Sequence, residues 1–389
     1  MGDKAVAYHE LLKLRVKVGK TEQALLIAEK LKSRVLEDKV HGRKKIDLKL
    51  NLPRLNVPAD TVIVSYTVTD EACLAFVFRQ HHIQPKIFII PKDEKILTEE
   101  IRRFRKRPLK FDPSFKSQAI ELYMLLLKNL ESEIKDAKNL IIIPDGALWE
   151  LPFQALITEQ RKYLIERYAV SYAPSLGFLT HLQSTASPEK QNRFLGFANS
   201  IPSRAPLPET EREVDAVGKY YVKASVFKSL AATETRIKML APQASQIHLA
   251  VHGEINSFDP FNSALLLAPT TKEDGRLTVS EILDMNLSAN LVVLSSCDTS
   301  NGQVVNGEGL LSLSWAFLAV GANDVVAAQW AVEEKATANL MVDFYRLLNK
   351  NSKSPAAALR EAQLKSLKLS APFNHPFNWS AFVVIGGAH

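Results

Sequence analysis

The sequence predicts an α/β protein, sheets flanked by helices, with a short helical hairpin at the N-terminus. Short apolar runs rich in Val and Ile alternate with longer stretches of helical period, the pattern of α/β layers. Over 389 residues the apolar share is 46% and the charged share 23%, which excludes disordered, collagen-like and low-complexity chains. At about 150 residues per domain the length predicts two to three domains, with expected bounds at 1–40, 55–190 and 191–389.

The hairpin occupies residues 5–38. Leu11, Leu12, Leu14 and Val18 precede Gly19, and Ala24, Leu25, Ala28, Leu31 and Val35 follow Thr21, so Gly19 supplies the stop and Thr21 the next cap. The arrangement of Tyr8, Gly19, Ala24-Leu25 and Glu29 resembles one tetratricopeptide repeat, a unit of about 34 residues that normally stacks in arrays. Either a longer array precedes it, with Met1-Gly2 an added start, or the hairpin is a cap packed on its own domain. After a basic stretch from Lys39 to Lys49, strands are expected at Thr61–Val68, Ala72–Arg79 and Pro85–Ile90, and helices around Glu99–Arg107 and Ser117–Ala137. An apolar strand, Asn139–Ile143, ends in Pro144-Asp145-Gly146, and a further strand lies near Tyr168–Tyr172. The cluster Arg102, Arg103, Arg105, Lys106, Arg107 and Lys110 invites a nucleic-acid reading, but no aromatic stacking platform accompanies it and a solvated helix face explains it as well.

Asn199–Pro208 is polar and reads as an exposed junction. The second half repeats the α/β rhythm. Its strands are Val222–Phe227, Gln246–Val251, Ala264–Leu267, Leu291–Ser295, Asp324–Gln329 and Phe382–Ile385. Its helices are Glu209–Tyr220, Glu234–Ala241, Val279–Met285, Gly309–Val320, Glu334–Asn349 and Pro355–Ser366. Thr278 with Glu281 makes a capping box, and Ser354 caps a helix whose first residue is Pro355. The uncharged run Leu310–Asn323 is about 14 residues long, short of the roughly 20 that cross a bilayer, and reads as a buried helix.

Two of these strands stop at reactive side chains, His252 and Cys297. The connection from Gly253 to Asn290 contains a helix and is long enough for a crossover, so both strands can run parallel with their carboxyl ends on one edge. Open α/β sheets bind ligands beyond those ends. There an imidazole can generate a thiolate, the reactive form of cysteine, and later protonate a leaving amine. A tight turn at Gly253 brings its N–H, with that of Cys297, toward a tetrahedral oxyanion. Gly253, Gly275, Gly302, Gly307, Gly309 and Gly321 concentrate backbone freedom around this region. Alone, a strand-end His is usually a hydrogen-bonded surface residue and a lone Cys a small core hydrophobe; the ordered pair is the stronger signal.

His252-Gly253, followed by Leu294-Ser295-Ser296-Cys297-Asp298-Thr299 and Gly302, resembles the CHAT domain, a caspase-like and separase-like cysteine protease family often carried behind tetratricopeptide repeats. Further motifs fit it in order: Ile143-Pro144-Asp145-Gly146-Ala147-Leu148 with Leu151-Pro152-Phe153, Ala173-Pro174-Ser175, Gly307-Glu308-Gly309, Ala316-Phe317-Leu318 with Gly321-Ala322, Gln329-Trp330, and His375-Pro376 with Trp379 and Phe382. The resemblance covers residue 55 to the end. It implies a caspase-type fold, peptide-bond hydrolysis with Cys297 as nucleophile and His252 as base, and a first half that is a pseudo-protease layer. It also implies that Gln329-Trp330 pairs with substrate backbone as an added strand. His248, four residues before His252 on the same strand face, takes a supporting role, and Asp145 shapes a turn. Asp298 and Glu308 either make the pocket acidic, favouring a basic residue before the scissile bond, or cap the next turn and the following helix.

The leading expectation is a cytoplasmic cysteine endopeptidase acting on a protein substrate, regulated through the repeats by an activating protein or ligand, in defence or cell-death signalling. The alternative is a non-catalytic CHAT and repeat scaffold; a nucleic-acid-binding regulator has only the basic cluster behind it. With two cysteines in the chain, a disulfide ladder is excluded and a reducing compartment expected. No signal peptide is read at the N-terminus. The net charge of +7 helps attraction to anionic surfaces without naming a partner. No Gly-x-Ser-x-Gly elbow, phosphate loop, His-Glu-x-x-His or Cys-x-x-Cys is present, and no metal, cofactor or membrane contact is expected. Cys73, mid-strand between Ala72 and Leu74, is expected to be a buried inert thiol.

Overall fold

A computed structural model describes residues 3–40, 55–80, 84–109, 112, 114–185, 192–198, 207–256, 258–295, 308–351 and 353–387. By internal contact the chain divides into two units, residues 1–186 and 187–387. The first opens with the hairpin of α1 (Asp3–Lys17) and α2 (Thr21–Val40), which turns at Gly19 with φ at 72°, the left-handed conformation glycine adopts cheaply. There follow β1 (Thr61–Val68), β2 (Cys73–Phe78), β3 (Lys86–Ile90), α3 (Glu94–Leu109), α4 (Phe115–Leu126), α5 (Glu131–Ile134), β4 (Asn139–Ile143), α6 (Leu164–Arg167), β5 (Ala169–Tyr172) and α7 (Leu176–Thr185). The strands lie in the order β3-β2-β1-β4-β5; β4 is parallel to β1 and β5, while β2 is antiparallel to β1 and β3. Every residue of β1 and β2 is buried, as expected of strands covered on both faces.

The hairpin supplies part of that cover. Leu12, Ala24, Leu25 and Ala28 share one core with Ile63, Leu74, Phe76, Phe78, Ile141 and Leu179. A buried polar cluster lies beside it: Lys32 Nζ donates to Ser65 Oγ at 2.6 Å and lies 3.6 Å from Glu29 Oε1, while Glu29 Oε2 accepts the N–H groups of Leu176 and Gly177 at the start of α7. The helix expected over Ser117–Ala137 breaks after Leu126, whose carbonyl takes the hydroxyl of buried Tyr66 at 3.0 Å; a 3₁₀ turn, Lys128–Leu130, then leads into α5.

The second unit contains β6 (Arg193–Ala198), α8 (Pro208–Gly218), β7 (Lys223–Lys228), α9 (Glu234–Leu240), β8 (Gln246–Ala250), β9 (Gly253–Glu254), β10 (Ala264–Leu266), β11 (Arg276–Thr278), α10 (Val279–Leu283), β12 (Leu291–Leu294), α11 (Glu308–Ala319), β13 (Asp324–Ala328), α12 (Glu334–Asn351), α13 (Pro355–Leu367), α14 (Pro376–Trp379) and β14 (Phe382–Gly386). Its large sheet runs β14-β13-β12-β8-β6-β7, parallel throughout except for β14. The run at Ala264, expected among the strands of the α/β rhythm, instead pairs in a separate antiparallel sheet, β11-β10-β9. The caps fall where the sequence places them: Thr278 Oγ1 accepts the Glu281 N–H while Glu281 returns a carboxylate to the Thr278 N–H, and Ser354 Oγ accepts from Ala357. In α11 the residues from Leu313 onward are buried. Among the described residues no helix is long and apolar enough to cross a membrane.

Candidate active site

Neighbouring β8 and β12 are parallel, with Leu249 opposite Leu294, and the Ser295 N–H donates to the Leu249 carbonyl at 3.1 Å. Both chains therefore leave the large sheet side by side at its carboxyl edge. Cys297 and Asp298 lie outside the described residues, and Glu308 opens α11 with its side chain outside them as well. His252 is 2% exposed. It does not share a strand face with His248, because β8 ends at Ala250 and the chain changes sheets. The His252 carbonyl accepts the Leu266 N–H at 2.8 Å, and Gly253 and Glu254 continue as β9 against β10. The imidazole thus sits at the joint of two sheets.

The tight turn expected at Gly253 is absent: the residue is extended, opposite Leu265. Since the His252–Leu266 pair carries the hydrogen bond, alternation along an antiparallel ladder makes Gly253–Leu265 a non-hydrogen-bonded pair, with the Gly253 N–H directed away from β10. Strand β9 is the edge of its sheet. A Cβ at this position would meet Ala264 O at 3.9 Å, ordinary contact, so among the described residues the packing does not require glycine here.

Behind β8 lies a buried network. His248 Nε2 is 2.8 Å from Glu213 Oε1 and its Nδ1 3.1 Å from the Tyr345 hydroxyl. The Glu213 carboxylate only accepts, which assigns the proton to Nε2. The network ties α8 and α12 to the strand that leads to His252. The same two helices carry acids near their starts, Glu209 in α8 and Glu334 in α12, and burial pushes the Glu334 carboxyl above its usual range. The sequence reading missed Glu213 and Tyr345, the partners of the His248 it singled out.

Gln329 and Trp330 follow β13. The Gln329 N–H donates to Ala381 O at 2.8 Å and the Trp330 indole to Phe377 O at 2.9 Å, so both of these donors are engaged within the unit. Asp145 accepts the Val68 N–H at 2.8 Å, joining the ends of β4 and β1. Cys73 is fully buried at the start of β2; burial, then the nearby Asp145 charge, pushes its thiol well up. The basic cluster is not uniformly a solvated face: Arg105 is buried, with its guanidinium 3.2 Å from Glu150. Among the described residues one group of side chains has the geometry of metal ligands, Glu234, Glu273 and Glu281, and Lys238 Nζ sits 2.6, 3.2 and 2.9 Å from them. An ammonium already occupies that cluster.

A mostly parallel sheet with helices packed on it defines an α/β protein, and the buried His252 follows β8 two residues past its end. The model of the CHAT domain matches residues 116–387, and the chain belongs to that family. Among curated proteins it is similar to tetratricopeptide repeat protein 28 of Mus musculus and of Homo sapiens, 28% identical over 326 and 327 residues. Those alignments cover 68% of this chain and 13% of either relative, so the chain spans about an eighth of their length. Among solved structures it resembles separase in the separase–securin complex of Saccharomyces cerevisiae, with a TM-score of 0.61, 11% identity, and coverage of 93% of this chain and 33% of that one. That likeness is one of fold.

Proposed function

We propose that the chain is a cysteine endopeptidase that hydrolyses a peptide bond in a protein substrate, with Cys297 as nucleophile and His252 as base. The register of β8 and β12 supports this most directly: His252 and Cys297 each follow the paired residues Leu249 and Leu294 by three positions. His252 takes the thiol proton, the thiolate attacks the substrate carbonyl, and the N–H groups of Gly253 and Cys297 receive the oxyanion. The imidazolium then protonates the leaving amine, and water, deprotonated by the same imidazole, releases the acyl group. The outward N–H of Gly253, on an edge strand directly after the base, fits this role. In this reading the hairpin is the point at which an activating protein or ligand acts, and the setting is cytoplasmic defence or cell-death signalling. Asp298 and Glu308 are the candidates for substrate selection.

The test is digestion of a proteome-derived peptide library and of intact candidate proteins by the wild type, Cys297→Ala and His252→Ala. Fragments that appear only with the wild type are expected. Equal product from all three, or none from any in the presence of the activating partner, would leave a non-catalytic scaffold as the better reading.

A further inference from the structure

The buried Glu213 carboxylate has two oxygens and one partner. Oε1 lies 2.8 Å from His248 Nε2, whose proton it accepts, while among the described residues nothing donates to Oε2. The ring needs no second proton, because its Nδ1 takes the Tyr345 hydroxyl at 3.1 Å. Glu213 is 2% exposed, and it lines a cavity of about 360 Å³ between α8, α12 and the C-terminal part of α13. Ala216, Ala338, Val342 and Leu369 give that cavity apolar walls. Its two basic residues are already paired: Arg212 lies 2.6 Å from Glu209, and Lys365 lies 2.7 Å from Asp343. Among the described residues no Lys or Arg pairs with Glu213. A buried carboxylate with an open acceptor and no cation beside it is destabilising. We propose that the cavity binds a cationic head on a short alkyl chain, a guanidinium or primary ammonium that donates to Glu213 Oε2 while the chain lies along the apolar wall.

The chemistry of the walls selects that class. An anion entering the cavity would meet the Glu213 carboxylate, and the two cations that could receive it are held by Glu209 and Asp343. A guanidinium is weakly hydrated and leaves water at little cost, and a methylene chain packs on apolar side chains as the stems of Arg and Lys do. The volume is near the lower end of the roughly 300–1,000 Å³ of small-ligand sites, enough for a small molecule or one side chain. A free cation and an arginine side chain of a partner protein offer the same head, and the test separates them. Glu213 would be shared between ligand and His248, so the ring reports occupancy. The site lies wholly in the second unit and is independent of the Cys297–His252 reading.

Isothermal titration calorimetry of the full chain with n-butylguanidinium, n-butylammonium and uncharged n-pentanol measures binding, and nitrogen NMR of the His248 ring reads the site directly. The variants are Glu213→Gln, which keeps an oxygen for His248 Nε2, and Ala216→Leu, which fills the cavity and leaves the carboxylate; circular dichroism checks that both fold. Expected are saturable binding of a cation to the wild type with a shift of the His248 ring nitrogens, none of pentanol, affinity lower by about tenfold or more in Glu213→Gln, and no binding in Ala216→Leu. Acetyl-Gly-Arg-Gly-amide binding as tightly as butylguanidinium assigns the site to a partner's side chain, and a peptide that stays out assigns it to a free cation. Pentanol binding as well as the cations do, or either variant binding like the wild type, overturns the proposal. So does the absence of binding by both cations at about 10 mM. A His248 ring that carries both protons at neutral pH in the free protein overturns it too, since Glu213 would then already hold its cation.

Discussion

Replacing Lys32 by Met removes the cation from a buried cluster and leaves its carboxylate behind. Lys32 and Glu29 are 7% and 2% exposed, and the ammonium bridges Ser65 Oγ at 2.6 Å and Glu29 Oε1 at 3.6 Å. Breaking a buried pair by deleting one partner costs about 3–5 kcal/mol, because the remaining charge is uncompensated. The N–H groups of Leu176 and Gly177 still reach Glu29, which argues for the low end, about 3 kcal/mol. For a unit of this size that lowers the midpoint of its thermal unfolding by about 6–12 °C. The double variant Glu29→Gln/Lys32→Met keeps an acceptor for the start of α7 and buries no charge, so it should recover at least half of the loss. Thermal unfolding with hydrogen exchange read on α2 and α7 measures both. A single variant within about 1 kcal/mol of wild type, or a double variant as unstable as the single, would refute the reasoning.

Asp324 is 2% exposed, and burial pushes its carboxyl well up against the pull of the Gly387 N–H. The folded state therefore holds its proton more tightly than the unfolded chain, and stability falls as pH rises from the ordinary carboxylate range through the raised folded value. Asp324→Asn should flatten that slope and raise the urea midpoint at neutral pH; an unchanged slope counts against it. Lys238→Met strips the cation from three carboxylates whose ligand atoms lie within 4.8 Å of one another. The variant should be destabilised at pH 7 and regain stability toward pH 5, as Glu234, pushed up mainly by burial, takes a proton; a loss independent of pH would show that only packing was removed. Thr278→Ala should cost about 1 kcal/mol through the lost cap, and should raise Glu281, which burial pulls up but the Thr278 hydroxyl and N–H and Lys238 hold at about 2. Chemical denaturation and a carboxyl titration check the two effects. In the folded wild type, Cys73 should alkylate more slowly than Cys297, since the Cys73 thiol is buried and pushed up; equal rates would count against an active-site cysteine.

Strands buried on both faces announce themselves as runs of Val, Ile and Leu, and β1, β4, β12 and β13 were legible on that ground. Strand β6 was not: Arg193-Phe194-Leu195-Gly196-Phe197-Ala198 has no β-branched residue and a glycine inside it, yet it lies beside β8 in the sheet. The helix break at Leu126 was invisible because no Gly or Pro marks it; a hydroxyl from a strand 60 positions away captures the carbonyl. Helix caps were legible because their chemistry is local, as at Thr278 and Ser354. Arg105 was misread for the opposite reason: its partner Glu150 is distant in sequence, and charge clustering alone says nothing about burial.

The divergence matters most at His252. Period-two alternation carried β8 through to His252, whereas the large sheet ends at Ala250 and a second sheet begins at Gly253. Alternation reports which face of a strand is buried; it is silent where a chain leaves one ladder and enters another. Such a joint is stiff on both sides. Leu249 is held from β12 through the Ser295 N–H, and His252 from β10 through the Leu266 N–H. The backbone that carries the imidazole is thereby fixed by hydrogen bonds to two sheets, and positioning of a base needs that kind of support. Loosening the joint should therefore lower reactivity at every pH.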